Sequence, residues 1–182
     1  DRKISSTEGF AFGAEQFLHF DGLTDTGRDI YFTLSKAFWS NDKTGQFWAA
    51  TDEFNQEFGA KGPPNKASLN ILGGTSSFRS MPKQNTTIGI IATNAKLDSK
   101  GAKRIAIMSH SGMSRAIRPI HSPVDGDVIF VLSTGTLTKE LTLNDINIIG
   151  ELGARVCSRS IARGVYEAKS LGDMTSWKEK YD

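Results

Sequence analysis

Two apolar strand patterns and two helical patterns alternate along the second half of the chain. Residues 86–93 (TTIGIIAT) are β-branched and apolar throughout, as in a strand buried on both faces, and residues 127–133 form a second such run. Helical periodicity covers residues 98–115 and again residues 142–168. The order strand, helix, strand, helix predicts an α/β fold with helices layered on a sheet.

The helical patterns carry start signals and an apolar face. The expected capping positions are Asp98 or Ser99 in the first helix, and Thr142 with Asp145, a capping box, in the second. The positions predicted to face inward are Ile105, Met108, Gly112, Ile146, Ile149, Leu152, Val156 and Ile161.

The first half of the chain has a weaker pattern. Residues 29–38 are apolar enough for a strand, residues 41–45 (NDKTG) supply a turn, and residues 46–50 could be the returning strand. Another short strand is expected at residues 16–20. Residues 59–85 are rich in glycine, proline and serine, so they interrupt regular structure just before the strong strand begins.

Composition narrows the class of protein. Lys and Arg number 22 against 20 Asp and Glu, and a net charge of +2 does not favour a nucleic-acid partner. No apolar run approaches the roughly 18 residues of a membrane span, so no membrane partner is expected. The single cysteine, Cys157, excludes an internal disulfide and is expected to be a buried small hydrophobe. Because the chain starts at Asp1 without a methionine, we expect upstream sequence, and we expect a cytoplasmic location.

The bond between Asn85 and Thr86 joins the turn-rich segment to the first strong strand. By residue type alone, Asn is a common turn residue and Thr a good strand former, which is the ordinary interpretation. A formal glycosylation sequon, Asn85-Thr86-Thr87, is a second one. In a third, the Thr86 hydroxyl attacks the Asn85 carbonyl and the resulting ester hydrolyses. The freed α-amine, which titrates at about pH 8, can then act as general base for the Thr86 hydroxyl.

Four segments of the second half carry a specific resemblance. They are residues 85–95 (NTTIGIIATNA), 108–121 (MSHSGMSRAIRPIH), 125–130 (DGDVIF) and 133–134 (ST). Together with the pattern of the final helix, they resemble the small subunit of the nylon-oligomer hydrolases. Those are 6-aminohexanoate-oligomer endohydrolases, related to the L-aminopeptidase/D-Ala-esterase family (peptidase family P1). The resemblance favours the self-cleaving interpretation of the Asn85–Thr86 bond.

The resemblance implies an N-terminal-nucleophile hydrolase with the layered α-β-β-α sandwich of that class. It implies one domain in two fragments: residues 1–85 belong to the large subunit, and residues 86–182 form the small subunit that begins with the nucleophile Thr86. The fragments would stay associated, and the cleaved pairs would form a closed homo-oligomer, a tetramer by resemblance. The implied substrates are 6-aminohexanoate oligomers or short peptides, with no cofactor and no metal.

Two alternative functions stay open at the level of sequence. The natural substrate could be an N-terminal amino acid or a D-amino-acid amide or ester, with nylon oligomers only tolerated. The chain could also be a non-catalytic binding or scaffold protein on the same fold, because one residue expected of the oxyanion site is missing.

Asp125 and Asp127 flank Gly126 at the entrance to the second strand. The ordinary interpretation of this sequence is a turn. Residues two apart in an extended chain point to the same side, so the two carboxylates are also a weak signal for a divalent-metal site. The resemblance implies a third role, in which both aspartates stand next to Thr86. There they would hold its amine and hydroxyl and favour the positive charge as the amine takes up a proton.

The resemblance also implies a lysine and an asparagine in the large subunit. By distance from later landmarks, Lys3 is the candidate for the lysine, although a solvated surface lysine is its ordinary interpretation. The asparagine should precede an Asp-x-x-Gly turn, here residues 42–45, yet the strand before it reads LSKAF. Either Ser35 or Lys36 takes its place, or Asn41 reaches in. A Lys36 ammonium could stabilise an oxyanion by its charge.

The histidines and aromatics have simpler expected roles. His19, His110 and His121 lack the spacing of metal ligands, and His110 and His121 are therefore expected to be structural. Four aromatics flank the predicted hairpin and are expected to pack in the core, or else to line a channel for an extended substrate: Phe38, Trp39, Phe47 and Trp48.

Overall fold

The computed structural model describes residues 40, 44–64, 86–118, 120, 121, 123, 125–172 and 175–182. In chain order these contain a 3-10 helix (Trp48–Asp52), strand β1 (Ile88–Ala95), helix α1 (Ser99–Ala116), strand β2 (Val128–Leu137), helix α2 (Leu143–Glu167) and the short helix α3 (Trp177–Tyr181). The predicted order of strand, helix, strand, helix is confirmed, and the described fold is α/β.

Both long helices start where their capping residues predict. Asp98 is the N-cap of α1, and its carboxylate accepts from the Gly101 N–H at 2.7 Å. At the start of α2, the Thr142 hydroxyl accepts from the Asp145 N–H at 3.2 Å, and the Asp145 carboxylate accepts from the Thr142 N–H at 2.8 Å. Each cap satisfies backbone donors that have no partner within the helix.

β1 and β2 pair in parallel, with Ile88 opposite Val128. Helix α1 connects the two strands and packs against β2 and α2. In a parallel pair the two strands start at the same edge of the sheet. The residues that precede Ile88 and those that precede Val128 are therefore neighbours.

The two long helices approach each other closely through small residues. A Cβ at Gly112 would overlap the carbonyl oxygen of Ala154, so only glycine allows α1 to lie this close to α2. Buried apolar side chains of α1, α2 and one face of the sheet pack together between the helices and the sheet: Ile91, Ile105, Met113, Ile129 and Cys157. Cys157 is buried as predicted, and burial raises the pKa of its thiol to about 12.

Residues before the sheet pack on the far end of α2. Phe47 and Phe58 are almost fully buried against Trp177 of α3, with Ala116 and Ala162 in the same cluster. The side chains of Phe47 and Trp177 stack with their ring centroids 5.0 Å apart. Phe47 is thus a core residue, as expected.

Three sequence expectations are wrong. Residues 46–50 do not form a strand: Phe47 makes a single bridge to Ser40, and the chain then turns into the 3-10 helix Trp48–Asp52. Leu152 on α2 is 52% exposed rather than facing inward. β1 is not buried on both faces, because the described helices pack on one side of the sheet and Ile90, on the other, is 66% exposed.

Several predicted segments lie outside the described residues. These are the strands at residues 16–20 and 29–38, the first part of the turn at residues 41–45, and residues 65–85 of the turn-rich segment. Within the residues that are described, no helix has the length and apolar character needed to cross a membrane.

Candidate active site

The edge at which β1 and β2 begin brings together the residues before each strand. The Val128 N–H donates to the Thr87 carbonyl at 2.9 Å, so the pairing continues one step beyond the strands themselves. This contact places Thr86 and Thr87 beside the Asp125-Gly126-Asp127 sequence. The parallel register thus gathers three of the predicted site residues, Thr86, Asp125 and Asp127, at one point of the fold.

Gly126 lies directly against the Thr86 hydroxyl. A Cβ on residue 126 would stand 2.9 Å from Thr86 Oγ1, a distance that Cβ atoms essentially never show. Any other residue at position 126 would therefore displace that hydroxyl or the strand that carries it. The glycine between the two aspartates is a steric requirement of the site.

Asp127 holds the backbone of the residue next to Thr86. Its side chain is only 3% exposed, and its Oδ1 accepts from the Thr87 N–H at 2.7 Å. Its Oδ2 accepts from the His121 N–H at 3.0 Å and lies 3.1 Å from His121 Nδ1. Donors to both oxygens compensate the burial of the carboxylate. Asp127 therefore acts on Thr86 through the backbone of Thr87. The prediction from the resemblance was a direct contact with the amine and hydroxyl of Thr86.

Asp125 precedes the glycine on the side away from β2. The residue is half-buried, and its Oδ1 is screened from solvent. The remaining predicted site residues, Lys3, Lys36 and Asn85, lie outside the described residues. The described part of the site therefore consists of Thr86, the backbone of Thr87, the two aspartates and the intervening glycine.

Two histidines that sequence reasoning assigned to structural roles stand at this site. His121 contacts Asp127, and its Nε2 is 3.4 Å from Nδ1 of His110 on α1. The sequence signal for His121 was its position in the loop just before the aspartate pair. The described residues contain no group of three His, Cys, Asp or Glu placed to hold a metal ion.

The environment of His110 favours its neutral form. Partial burial lowers the pKa of His110 and the neighbouring His121 lowers it further, while the Asp127 carboxylate acts in the opposite direction. A neutral imidazole has one donor and one acceptor nitrogen, so His110 can donate to its neighbour or accept from it.

Comparison with known proteins defines the class. The profile of peptidase family S58 matches residues 32–177, which is most of the chain and includes every element described above except the end of α3. The chain belongs to peptidase family S58. The predicted class, a hydrolase of peptide-like bonds, agrees with this membership.

The similar proteins differ in how much of this chain they match. Uncharacterized aminopeptidases of Mycobacterium bovis and Mycobacterium tuberculosis are 32% identical over 152 residues, 76% of this chain and 43% of their own length. A 6-aminohexanoate-oligomer endohydrolase of Paenarthrobacter ureafaciens is 40% identical over 50 residues, 28% of this chain and 14% of its own. The chain thus spans less than half the length of the mycobacterial relatives.

Proposed function

We propose that this chain is a self-cleaving amide hydrolase whose nucleophile is Thr86, freed as an N-terminal residue by cleavage after Asn85. One observation carries the proposal: the Thr86 hydroxyl rests against Gly126, and the backbone of Thr87 is tied to the buried carboxylate of Asp127. A hydroxyl at the start of a strand, next to a backbone N–H held by a buried carboxylate, suits nucleophilic catalysis, which needs a well-oriented group.

Self-cleavage needs only the chain itself and water. The Thr86 oxygen attacks the carbonyl carbon of Asn85, the peptide C–N bond breaks, and the nitrogen takes the hydroxyl proton to become the α-amine of Thr86. Water then hydrolyses the Asn85 ester, which leaves a carboxylate on residue 85 and restores the hydroxyl of Thr86.

Amide hydrolysis repeats this chemistry on an external substrate. The α-amine of Thr86 accepts the hydroxyl proton as the oxygen attacks the substrate carbonyl, and it passes that proton to the leaving amine. Water releases the acyl group from the ester. We propose that Asp125 and Asp127 favour the ammonium form of Thr86 during the proton transfer, because carboxylates beside an amine favour its charged form.

Lys3 and Lys36 remain proposals for the part of the site contributed by the first half. A lysine ammonium near the substrate carbonyl would stabilise the oxyanion of the tetrahedral intermediate by charge. We expect Lys36 to do so in place of the missing asparagine, and Lys3 to assist the nucleophile.

The exposed face of the sheet supports the layered sandwich proposed for the whole protein. Four large apolar side chains of β1 and β2 lie on the face away from the helices and are 47–66% exposed: Ile88, Ile90, Phe130 and Leu132. In an α-β-β-α sandwich this face would pack on a second sheet, with helices on its outer side. Association of the two fragments and assembly into a homo-oligomer belong to the same proposal.

For the substrate we propose short peptides or amino-acid amides first. The relatives that match over most of the chain are named aminopeptidases, whereas the named 6-aminohexanoate-oligomer endohydrolase matches over a shorter segment. Oligomers of 6-aminohexanoate are the second candidate. Hydrolysis of L- and D-amino-acid amides beside 6-aminohexanoate oligomers, followed by release of primary amine, distinguishes the two substrate classes.

A denaturing gel tests the nucleophile. Wild type should give two fragments divided between residues 85 and 86, and Thr86→Ala should give one intact chain. Thr87→Ala is the matched control, because Asp127 contacts the backbone N–H of residue 87, which alanine retains. It should cleave like wild type. An intact wild-type chain, or a cleaved Thr86→Ala chain, would contradict the mechanism.

A further inference from the structure

A line of polar contacts leads from helix α1 to the proposed active site. Nδ1 of His110 is 3.4 Å from Nε2 of His121, and Nδ1 of His121 is 3.1 Å from Oδ2 of Asp127. The other oxygen of Asp127 binds the Thr87 N–H at 2.7 Å. The mechanism described above uses neither histidine, so this arrangement requires its own explanation.

His121 contacts one oxygen of Asp127 at two points. Its backbone N–H and its imidazole Nδ1 both face Oδ2. The residue has φ 57°, a left-handed backbone conformation that residues with a side chain seldom adopt. Such conformations persist where the surrounding contacts enforce them, and they cluster at functional sites. In this conformation, the backbone N–H and the imidazole of His121 both contact the same carboxylate oxygen.

The two imidazoles can satisfy each other's hydrogen bonding when both are neutral. If Nδ1 of His121 carries its proton and donates to Asp127, its Nε2 is free to accept from Nδ1–H of His110. The lowered pKa of His110 favours the neutral donor in this arrangement. Each ring then fixes the orientation and the tautomer of the other.

We propose that His121 is a positioning residue of the active site. It holds the Asp127 carboxylate so that Oδ1 fixes the Thr87 N–H, and His110 holds His121 in turn. This inference rests on the proposed function of Thr86, because the purpose of fixing Thr87 is to aim the hydroxyl of the residue before it. A shift of the carboxylate would pass to Thr86 through a single peptide unit.

The arrangement has a consequence in acid. Among the described residues, the titratable groups that act on the histidine pair are the two rings themselves, from α1 and from the loop, and Asp127 from the start of β2. One added proton can be shared between the rings, but a second would place two cations 3.4 Å apart. His121 would then leave its position and release Asp127. Activity should therefore fall more steeply in acid than protonation of the Thr86 amine alone requires.

Three variants of the full chain separate positioning from general stability. His121→Ala removes the imidazole and also places alanine in the left-handed backbone. Asn55→Ala is the matched control, because Asn55 is exposed and has a similar left-handed backbone, with φ 51°. This substitution also places alanine in a conformation that the original residue tolerates better. His121→Asn keeps a residue that tolerates the backbone and an amide N–H that can reach Asp127, but it cannot titrate.

Three measurements are made on each variant: the rate of cleavage or amide hydrolysis from pH 5 to pH 9, and by NMR the hydrogen exchange of the Thr87 amide and the folded fraction. His121→Ala should react at least about tenfold more slowly, since a hydrogen bond to a charged group is lost, and should exchange the Thr87 amide at least about tenfold faster. His121→Asn should stay within about threefold of wild type at pH 8 in both rates.

The pH profile supplies a readout that a purely structural residue would not change. Below about pH 6, the logarithm of the wild-type rate should fall with a slope steeper than one per pH unit, because the Thr86 amine contributes one and the histidine pair adds to it. His121→Asn should fall with a slope near one. If His121→Ala folds poorly, this comparison of His121→Asn with wild type still decides the matter.

The proposal is overturned if His121→Ala matches Asn55→Ala in rate and in Thr87 exchange, or if His121→Asn keeps the steep acid limb. A wild-type chain that neither cleaves nor hydrolyses any amide would instead refute the proposed function. In that case the exchange of the Thr87 amide still tests positioning, because it does not depend on turnover.

Discussion

Single residues at the start of the two strands determine the geometry on which the proposed chemistry depends. Gly126 leaves room for the Thr86 hydroxyl, and Asp127 fixes the backbone beside it. The resemblance, rather than the residue pattern alone, pointed to both aspartates as site residues. Neither showed that the glycine is itself required, since glycine between two aspartates is equally typical of an ordinary turn.

We predict that Gly126→Ala slows self-cleavage and hydrolysis by about 100-fold, because the added methyl group displaces the Thr86 hydroxyl and small misplacements of reacting groups are costly. Fragment formation on a gel over time measures the effect. Gly62→Ala is the control: it also introduces alanine at a glycine, with φ 68°, but no atom lies within 4 Å of the new methyl group. Equal rates in the two variants would refute the steric role of Gly126.

At the scale of elements, local signals predicted the second half of the chain well. The caps at Asp98 and Thr142 set the starts of α1 and α2, because capping depends on neighbours in sequence. β2 was expected to end at residue 133 but continues to Leu137, because Ala95 of β1 pairs with Leu137 after a shift in register beyond the Thr93–Ser133 pair. Long-range pairing of this kind leaves no mark in the sequence of one strand.

The 3-10 helix Trp48–Asp52 is a second case in which contacts distant in sequence determine the local structure. The sequence of residues 46–50, with two aromatics and two alanines after a turn, suits a strand by local preference. Packing decides otherwise: Phe47 is buried against Trp177, and the Asp52 carboxylate accepts from the Ser158 hydroxyl at 2.6 Å on α2. These partners lie more than 100 residues away along the chain.

The contact between α1 and α2 gives a prediction with an unusual sign. In a helix interior, Gly→Ala normally stabilises by about 1 kcal/mol. Gly112→Ala should instead lower the free energy of unfolding by about 1–3 kcal/mol, since its methyl group overlaps the Ala154 carbonyl and forces the helices apart. Urea unfolding followed by circular dichroism measures it. Lys103→Ala, at an exposed position of the same helix, should stay within about 0.5 kcal/mol of wild type; a stabilised Gly112→Ala would show that the helices are not in tight contact.

For the molecule as a whole, the described residues before the sheet explain how two fragments could remain together. Phe47 and Phe58 are buried against the end of α2 and Trp177, and Glu57 forms a salt bridge with Arg159 of α2. All of these contacts join residues before position 85 to residues after it. Cleavage of the Asn85–Thr86 bond would therefore leave a packed interface intact.

We predict that Phe58→Ala weakens this interface and Phe54→Ala does not. Phe58 is 1% exposed, so its truncation should cost about 3–5 kcal/mol, whereas Phe54 is 60% exposed and only lies near Arg159, worth about 1 kcal/mol or less. After cleavage, size-exclusion chromatography in increasing urea should separate the fragments of Phe58→Ala at a lower concentration than those of wild type. Identical profiles for the two variants would mean that this cluster does not hold the fragments together.

The central proposal is that the chain cleaves itself between Asn85 and Thr86. The sequence of the new N-terminus tests this proposal most directly. Purified wild-type protein, incubated until cleavage stops and then subjected to N-terminal sequencing and intact-mass measurement, should yield a fragment that begins Thr-Thr-Ile-Gly, while Thr86→Ala yields none. A wild-type chain that stays intact, or one cut at any bond other than Asn85–Thr86, would contradict the account.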